Sequence, residues 1–428
     1  MIKRYVRLHK TTLVDNRNAP QIDRDRIMYT SAFRRLAKVT QVVSADELYV
    51  FHNRLTHSIQ VAQVARRCAE MLRSNDSALE PHIDPDVCEA AALAHDLGHP
   101  PFGHLAEKAL DELARSKGLK DGFEGNAQSF RIVTKLSAHD INCDGLDLTR
   151  ATLNAMLKYP WLHGKNPKMR GKWGAYDSER EEFIWARKLS AADSLEKSPE
   201  ARIMDWADDV TYSVHDVEDF YRVGLIPLER LSVSALERNN FYKDVFHRAK
   251  GKLPASEDEL IQSFEQLASI WGNMGPYTGT YLQRQTLKMM ASRLIGEFVQ
   301  SIHADARRGS CKVRVDRAKE LEVFMLKQLT WHYVILNPAL ATQQWGQRLV
   351  IEGLFSTYLQ AIGSKDFRIF PIIYMDELTT LSERGAEKSE FIRTMVDMIA
   401  SMTESQAIHI HHRLNGTTLG SALMNPVG

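Results

Sequence analysis

Apolar residues recur every three or four positions along most of the chain, as in "RIMYTSAFRRLAKV" (26–39), "LTHSIQVAQVARRCAEML" (55–72) and "RLIGEFVQSIHADARR" (293–308). Strict alternation of β-branched with polar residues is scarce, so the pattern predicts a mainly α-helical protein. Two runs, "ELYVF" (47–51) and "FRIFPIIYM" (367–375), are expected as short strands.

Asp84 followed by Pro85 marks a helix start, since the aspartate can cap free amides and proline is tolerated in the first turn. That helix runs toward His95 and Asp96. Gly98 is expected in the left-handed region, and Pro100 and Pro101 cannot continue the helix, so the chain turns directly after the His-Asp pair. Between 161 and 190 the segment beginning "WLHGKNPKMRGKWGAYDSEREE" is dense in Gly, Lys and Arg and reads as a long loop. Beyond Pro227 helices are expected to continue, joined by polar turns such as "GNMGPYTG", "ARRGSCK" and "LNGTT", without internal repeats. A boundary near residue 230 divides a region 1–230 from a helical region 231–428.

The 428 residues are 44% hydrophobic and 25% charged, with 55 basic against 54 acidic side chains, so net charge argues for neither nucleic acid nor membrane. Cys68, Cys88, Cys143 and Cys311 stand far apart with no Cys-x-x-Cys pair, which suggests neither a zinc ribbon nor a disulfide framework and fits a reducing cytoplasm. The opening "MIKRYVRLHKTT" lacks an apolar core, and no run reads as a membrane span, so the chain is expected to be cytoplasmic. No P-loop or Gly-rich dinucleotide fingerprint is present.

The chemistry concentrates in "ALAHDLGHPPFGHLAE" (92–107). An adjacent imidazole and carboxylate at a helix end can share one ion only if other helices supply further ligands. "HNRLTHSIQ" offers His57 with Arg54 on the same helix face, and "MDWADDVTYSVHDVED" offers Asp208 or Asp209. Mixed nitrogen and oxygen donors suit Mn, Fe, Co, Ni, Zn or Mg with positions left for water and substrate. Taken alone, "VHDVED" reads as a solvated acidic helix face, and "HIHHR" (His409, His411, His412) as a polar helix end. Trp161, Trp173, Trp185 and Trp206 are expected to pack rather than to stack on a base, and "RRLAK" and "KMRGKWG" to answer phosphate charge more than single-stranded nucleic acid.

"HNRLTH", "HDLGHPPFGH", "FEGNAQS", "LKYPW", "KWGAY" and "DWADDVTYSVHDVED", in that order, closely resemble the HD-superfamily deoxynucleoside triphosphate triphosphohydrolases of the dGTPase-like branch. The resemblance is strong over residues 20–230, and beyond that extends to helical character and the ending "MVDMIASMTESQAIHIHHRL". It implies an all-α HD-domain fold with additional C-terminal helices that complete the pocket and support assembly. It also implies hydrolysis of a dNTP, dGTP among them, to deoxynucleoside and inorganic triphosphate. Carried over by motif, His57, His95, Asp96 and Asp208 would hold a divalent metal; Asp208 is chosen because it precedes Tyr212 by four residues, which leaves Asp209 to orient a ligand. His104 would transfer the proton with Glu107 orienting it, and His99 would donate to phosphate or staple the loop. Arg54, Lys158 and Lys172 would meet the triphosphate, Asn126 and Tyr159 would touch substrate, and Gln41, Tyr212 and Asp216 would face the sugar. Homo-oligomers, hexamers included, dNTP effectors and single-stranded DNA are partners the family brings with it.

Two rival readings stay open on sequence alone. One is a phosphodiesterase or 5′-nucleotidase of the wider HD superfamily. The other is a dNTP-sensing module that binds single-stranded DNA without turnover.

Overall fold

The computed structural model describes residues 3–9, 16–41, 52–191, 194–272, 274–307 and 310–418. The first half comprises α1 (Ala19–Met28), α2 (Ser31–Arg35), α3 (Arg54–Asn75), α4 (Pro85–Ala94), α5 (Gly103–Ser116), α6 (Gly125–Arg131), α7 (Arg150–Ala155), α8 (Arg180–Arg187) and α9 (Pro199–Arg222). The second comprises α10 (Leu228–Val233), α11 (Ala235–Arg248), α12 (Glu257–Trp271), α13 (Tyr281–Gln300), the hairpin β1 (Ile302–Arg307) with β2 (Ser310–Val315), α14 (Arg317–Thr330), α15 (Pro338–Ser364), α16 (Ile372–Glu383), α17 (Lys388–Ser401) and α18 (Glu404–Leu414). The fold is all-α, with that one antiparallel hairpin as its only sheet among the described residues.

Local chemistry fixes the helices that matter for the site. Asn53 caps α3 by accepting from Thr56 N, Asp84 caps α4 with Pro85 in its first turn, and Ser198 caps α9 with Pro199 behind it. α4 is rich in alanine and buried almost throughout, so α3 and α9 can approach it closely. Val61 and Cys68 of α3, Ala91 and Leu93 of α4, and Val210 and Val214 of α9 belong to one core that runs from Ile27 to Leu340 without a break at residue 230.

A second core joins α5 to the C-terminal helices, with Phe102, Leu110 and Phe123 among Phe355, Tyr358, Ile399 and Ile410. Polar ties reinforce it. Asp397 accepts from Gln128 Nε2 at 2.8 Å and from Arg131 Nε at 2.9 Å, and the Arg393 guanidinium lies 3.6 Å from the centre of the Tyr176 ring.

Three local expectations change. "FRIFPIIYM" forms a short 3-10 turn and the start of α16, because Pro371 sits just ahead of the first turn of a helix. The strands lie instead at 302–315, where α13 stops at Gln300. The 161–190 segment is only partly loop: Trp173 and Tyr176 are buried against Trp161 and Ala127, and α8 occupies its second half. "ELYVF" lies outside the described residues. Among the described residues no helix is long and apolar enough to cross a membrane.

Candidate active site

α4 ends where its chemistry begins. His95 is the C-cap, and its Nδ1 lies 2.6 Å from Ala92 O, which fixes Nδ1 as the protonated nitrogen and turns the Nε2 lone pair inward. Gly98 follows, but its backbone is not left-handed; the positive φ values fall at Phe102 and Gly103. Gly98 is required by proximity, since a Cβ there would lie 2.2 Å from Gly125 O and 2.3 Å from Ser129 N of α6. Ser129 Oγ completes that contact by accepting from Gly98 N and donating to His95 O.

Around His95 Nε2 stand three further donors. Ligand atoms of His57, His95 and Asp96 all lie within 4.8 Å of one another. Asp208 Oδ1 is 3.0 Å from His57 Nε2 and 3.6 Å from His95 Nε2. His95 Nε2 is buried yet has no hydrogen-bond partner, although carboxylates approach it. A buried imidazole lone pair facing two carboxylates and a second imidazole is what a divalent cation would satisfy, so this donor set fits a metal. Burial disfavours a charged His95, but Asp96 and Asp208 outweigh it and push the ring up to about 9. Burial likewise opposes ionisation of Asp96 and Asp208, yet both are held well below the usual carboxylate range, Asp96 by His95, His99 and Arg54, and Asp208 by Lys158 and the two histidines.

Charges flank this centre. Arg54, 2% exposed, donates through Nη1 to Asp96 Oδ2 at 2.7 Å. His99 Nδ1 lies 3.0 Å from Asp96 Oδ1 in a geometry that leaves the nitrogen without a formed hydrogen bond, and burial and Arg54 push its ring down to about 4. Lys158 Nζ donates to Asp208 Oδ2 at 2.6 Å and lies 3.2 Å from Asp205 Oδ1, so without substrate it serves the acidic side of the site.

One helix further, α5 presents His104 with its side chain 74% exposed and Nδ1 2.8 Å from Glu107 Oε2. That contact assigns Nδ1–H to Glu107 and leaves Nε2 for another partner. The His99 and His104 rings are 5.4 Å apart between centroids, which sets this pair beside the four-donor cluster. Glu107 Oε1 also accepts from Lys172 Nζ at 2.6 Å, and Lys172 reaches Glu124 Oε1 at 2.9 Å. Lys172 is therefore part of the site's charge network and not a solvated loop residue.

The remaining expected residues lie around these two groups. Asn126 Nδ2 donates back to Glu124 Oε1 at 2.9 Å. Burial raises the Tyr159 phenol while the charges of Lys158 and Lys172 oppose it, which places Tyr159 near both cations. On α9 the Tyr212 hydroxyl bonds Asp216, and Asp216 Oδ2 is buried without a partner; burial and Asp219 push its carboxyl well above the usual range. "VHDVED" is thus not a solvated face, because Asp216, Glu218 and Asp219 are all buried. Gln41 Oε1 is buried and unpaired. Asp209 Oδ1 is 2.5 Å from Lys327 Nζ of α14.

Sequence reasoning missed Glu124 and Asp205. Glu124 stands inside the quoted "FEGNAQS" and caps α6 through Asn126 N and Ala127 N, a signal available from its place before Gly125. Asp205 lies one turn before Asp208 on α9, where i,i+3 spacing alone could have flagged it. Trp161 Nε1 donates to Lys172 O and Trp206 Nε1 to Phe298 O, so both rings pack as expected. "HIHHR" ends α18.

A helical core presenting a His, His-Asp and Asp set at the mouth of α4 defines the HD class of phosphohydrolases, and an HD domain matches residues 54–213, with a phosphohydrolase-associated domain matching residues 313–413. Deoxyguanosinetriphosphate triphosphohydrolase-like proteins align along nearly the whole chain. That of Streptomyces coelicolor is 37% identical over 94% of this chain and 93% of its own, that of Corynebacterium glutamicum (strain R) 36% over 93% and 91%, and that of Bifidobacterium longum 30% over 92% and 82%. The chain belongs to this deoxyguanosinetriphosphate triphosphohydrolase-like family of HD hydrolases.

Proposed function

We propose that the protein hydrolyses deoxynucleoside triphosphates, dGTP among them, at the α-phosphorus, releasing a deoxynucleoside and inorganic triphosphate. The observation that carries this reading is the convergence of His57, His95, Asp96 and Asp208 beside the His104–Glu107 pair. Those four residues would hold a divalent ion, Mn, Mg, Fe, Co, Ni or Zn, which would supply Lewis-acid polarisation of the phosphoryl oxygen and a lowered pKa for bound water. Water adds to the α-phosphorus, the bond to the 5′-oxygen breaks, and that oxygen takes up a proton. His104 transfers it through Nε2, since Glu107 engages Nδ1.

The triphosphate brings up to about four negative charges. Arg54, Lys158 and Lys172 answer them, with the two lysines exchanging carboxylate partners for phosphate oxygens. His99, Asn126 and Tyr159 line the phosphate side. Tyr212, Asp216 and Gln41 receive the sugar: the aromatic ring beneath C2′ leaves no room for a 2′-hydroxyl, and the unpaired Asp216 oxygen accepts from the 3′-hydroxyl, whose own oxygen can accept from the Gln41 amide N–H.

Residues 1–230 carry this chemistry, and residues 231–428 complete the pocket and support a homo-oligomer. Exposed Tyr281, Leu282, Met289, Trp345, Ile372 and Ile373 give that second region apolar surface that a second copy would cover. A dNTP effector and single-stranded DNA follow only from the family reading, and a cytoplasmic location rests on the spacing of the four cysteines. The test is a turnover screen of four dNTPs against Mn, Mg, Co and Zn with product identification. Inorganic triphosphate from dGTP supports the proposal; orthophosphate or pyrophosphate favours the wider HD phosphohydrolases, and tight binding without turnover favours a sensor.

A further inference from the structure

The segment between the two chemical groups of the site is held by a turn more than 300 residues further along the chain. Glu404, in the first turn of α18, accepts from Phe102 N at 3.2 Å and Thr40 N at 2.8 Å through Oε1, and from Thr40 Oγ1 at 2.7 Å through Oε2. Arg35 works from the other side of the same loop: Nη2 donates to Leu97 O and His99 O, both at 2.8 Å, and Nη1 to Met402 O at 3.1 Å. The Met402–Glu404 turn and Arg35 thus grip the backbone from 97 to 102.

Phe102 is where that grip matters. It is one of three non-glycine residues with positive φ among the described residues (φ 66°), and it is the N-cap of α5, two residues before His104. A left-handed phenylalanine is disfavoured unless its surroundings over-determine it. Here its ring is buried in the core shared with the C-terminal helices, and its N–H is taken by Glu404. His104 is largely exposed and packs only edge-on against His99, so its direction is set by Glu107, by that ring and by the backbone entering α5, all of them part of or adjoining the gripped loop. Thr40, held by the same carboxylate, adjoins Gln41 and bridges to Asn53, the cap of the helix carrying His57.

We propose that Glu404 is a positioning residue for the hydrolysis: it fixes the left-handed Phe102 entry to α5 and so the direction of His104, coupling the C-terminal helices to the proton-transfer step. This rests on the role of His104 given above. Glu404→Ala is expected to lower kcat for dGTP about 10- to 100-fold, with KM within about threefold and divalent-ion content unchanged. In a His104→Ala background the same substitution is expected to cost nothing further, because both act through one group. Amides of residues 97–104 should exchange with deuterium at least about tenfold faster while those of α3 and α9 hold. Glu404→Gln, which keeps an acceptor oxygen, should recover part of the rate. Gln406→Ala weakens the α18 cap without touching the loop and should leave kcat unchanged.

An undiminished rate in Glu404→Ala, an equal loss in the His104→Ala background, or unchanged exchange at 97–104 would each overturn the proposal. Should wild-type protein fail to hydrolyse dGTP, the substrate reading falls, while the exchange comparison still decides whether Glu404 holds the loop.

Discussion

Replacing His104 by alanine separates chemistry from architecture. Its side chain is 74% exposed and makes one hydrogen bond, to Glu107 at 2.8 Å. Glu107 keeps Lys172 Nζ at 2.6 Å and Gly125 N at 3.4 Å on Oε1, but Oε2 loses His104 and is left to solvent. Stability should therefore fall by about 1–2 kcal/mol, the loss of one charge-assisted hydrogen bond at a site that solvent can reach. His104 belongs to a different donor group from His57, His95 and Asp96, so metal content at those residues should be preserved. The rate should not survive. A positioned proton-transfer group contributes about 10²- to 10⁴-fold, or about 3–5 kcal/mol at 1.36 kcal/mol per decade. Inorganic triphosphate released from dGTP would be followed by ³¹P NMR, metal content by elemental analysis, and stability by urea unfolding. A variant with kcat within tenfold of wild type would refute the assignment; loss of metal would show that His104 belongs to the ion site instead.

Asp208→Ala should empty the metal site and abolish turnover, and it should also destabilise the fold by about 2–3 kcal/mol, because buried Lys158 is left with Asp205 alone; full metal occupancy in this variant would reject the ligand assignment. Gly98→Ala should cost about 3 kcal/mol in urea unfolding, since its Cβ meets the backbone of Gly125 and Ser129 with no flexible side chain to yield; a cost below about 1 kcal/mol would show that α4 and α6 can part freely. Asp205 is buried, and Lys158 and Lys197 overcome the desolvation cost to pull its carboxyl from 3.8 to about 2. Its folded pKa being the lower one, the stabilisation is complete above about pH 4 and is lost as pH falls toward 2, amounting to about 2 kcal/mol. The stability deficit of Asp205→Asn should accordingly shrink between pH 4 and pH 2, and a deficit independent of pH over that range would contradict the shift.

Much of the site was legible because its signals are local. Asp84-Pro85 started α4, and the loop carrying Pro100 and Pro101 follows its end beyond His95. His57 falls in the first turn of α3 as the pattern indicated. What was illegible depends on distant partners. Gly98 looked like a left-handed glycine, but its need arises from α6, which sequence proximity does not reveal. Lys158 looked committed to phosphate, whereas two carboxylates one turn apart on α9, some fifty residues on in sequence, hold it in this state. The acidic run on α9, taken alone, read as solvated because its cover comes partly from α13 and α14, beyond residue 230. Glu404 gave no sign at all, since its carboxylate acts on backbone amides 302 and 364 positions away.

The proposed hydrolysis requires one cation among His57, His95, Asp96 and Asp208. Crystals soaked in Mn and measured for anomalous scattering answer this directly. A single strong peak about 2.0–2.3 Å from His57 Nε2, His95 Nε2 and an oxygen of each aspartate is the predicted result. A peak elsewhere, or none at these four side chains, would contradict it.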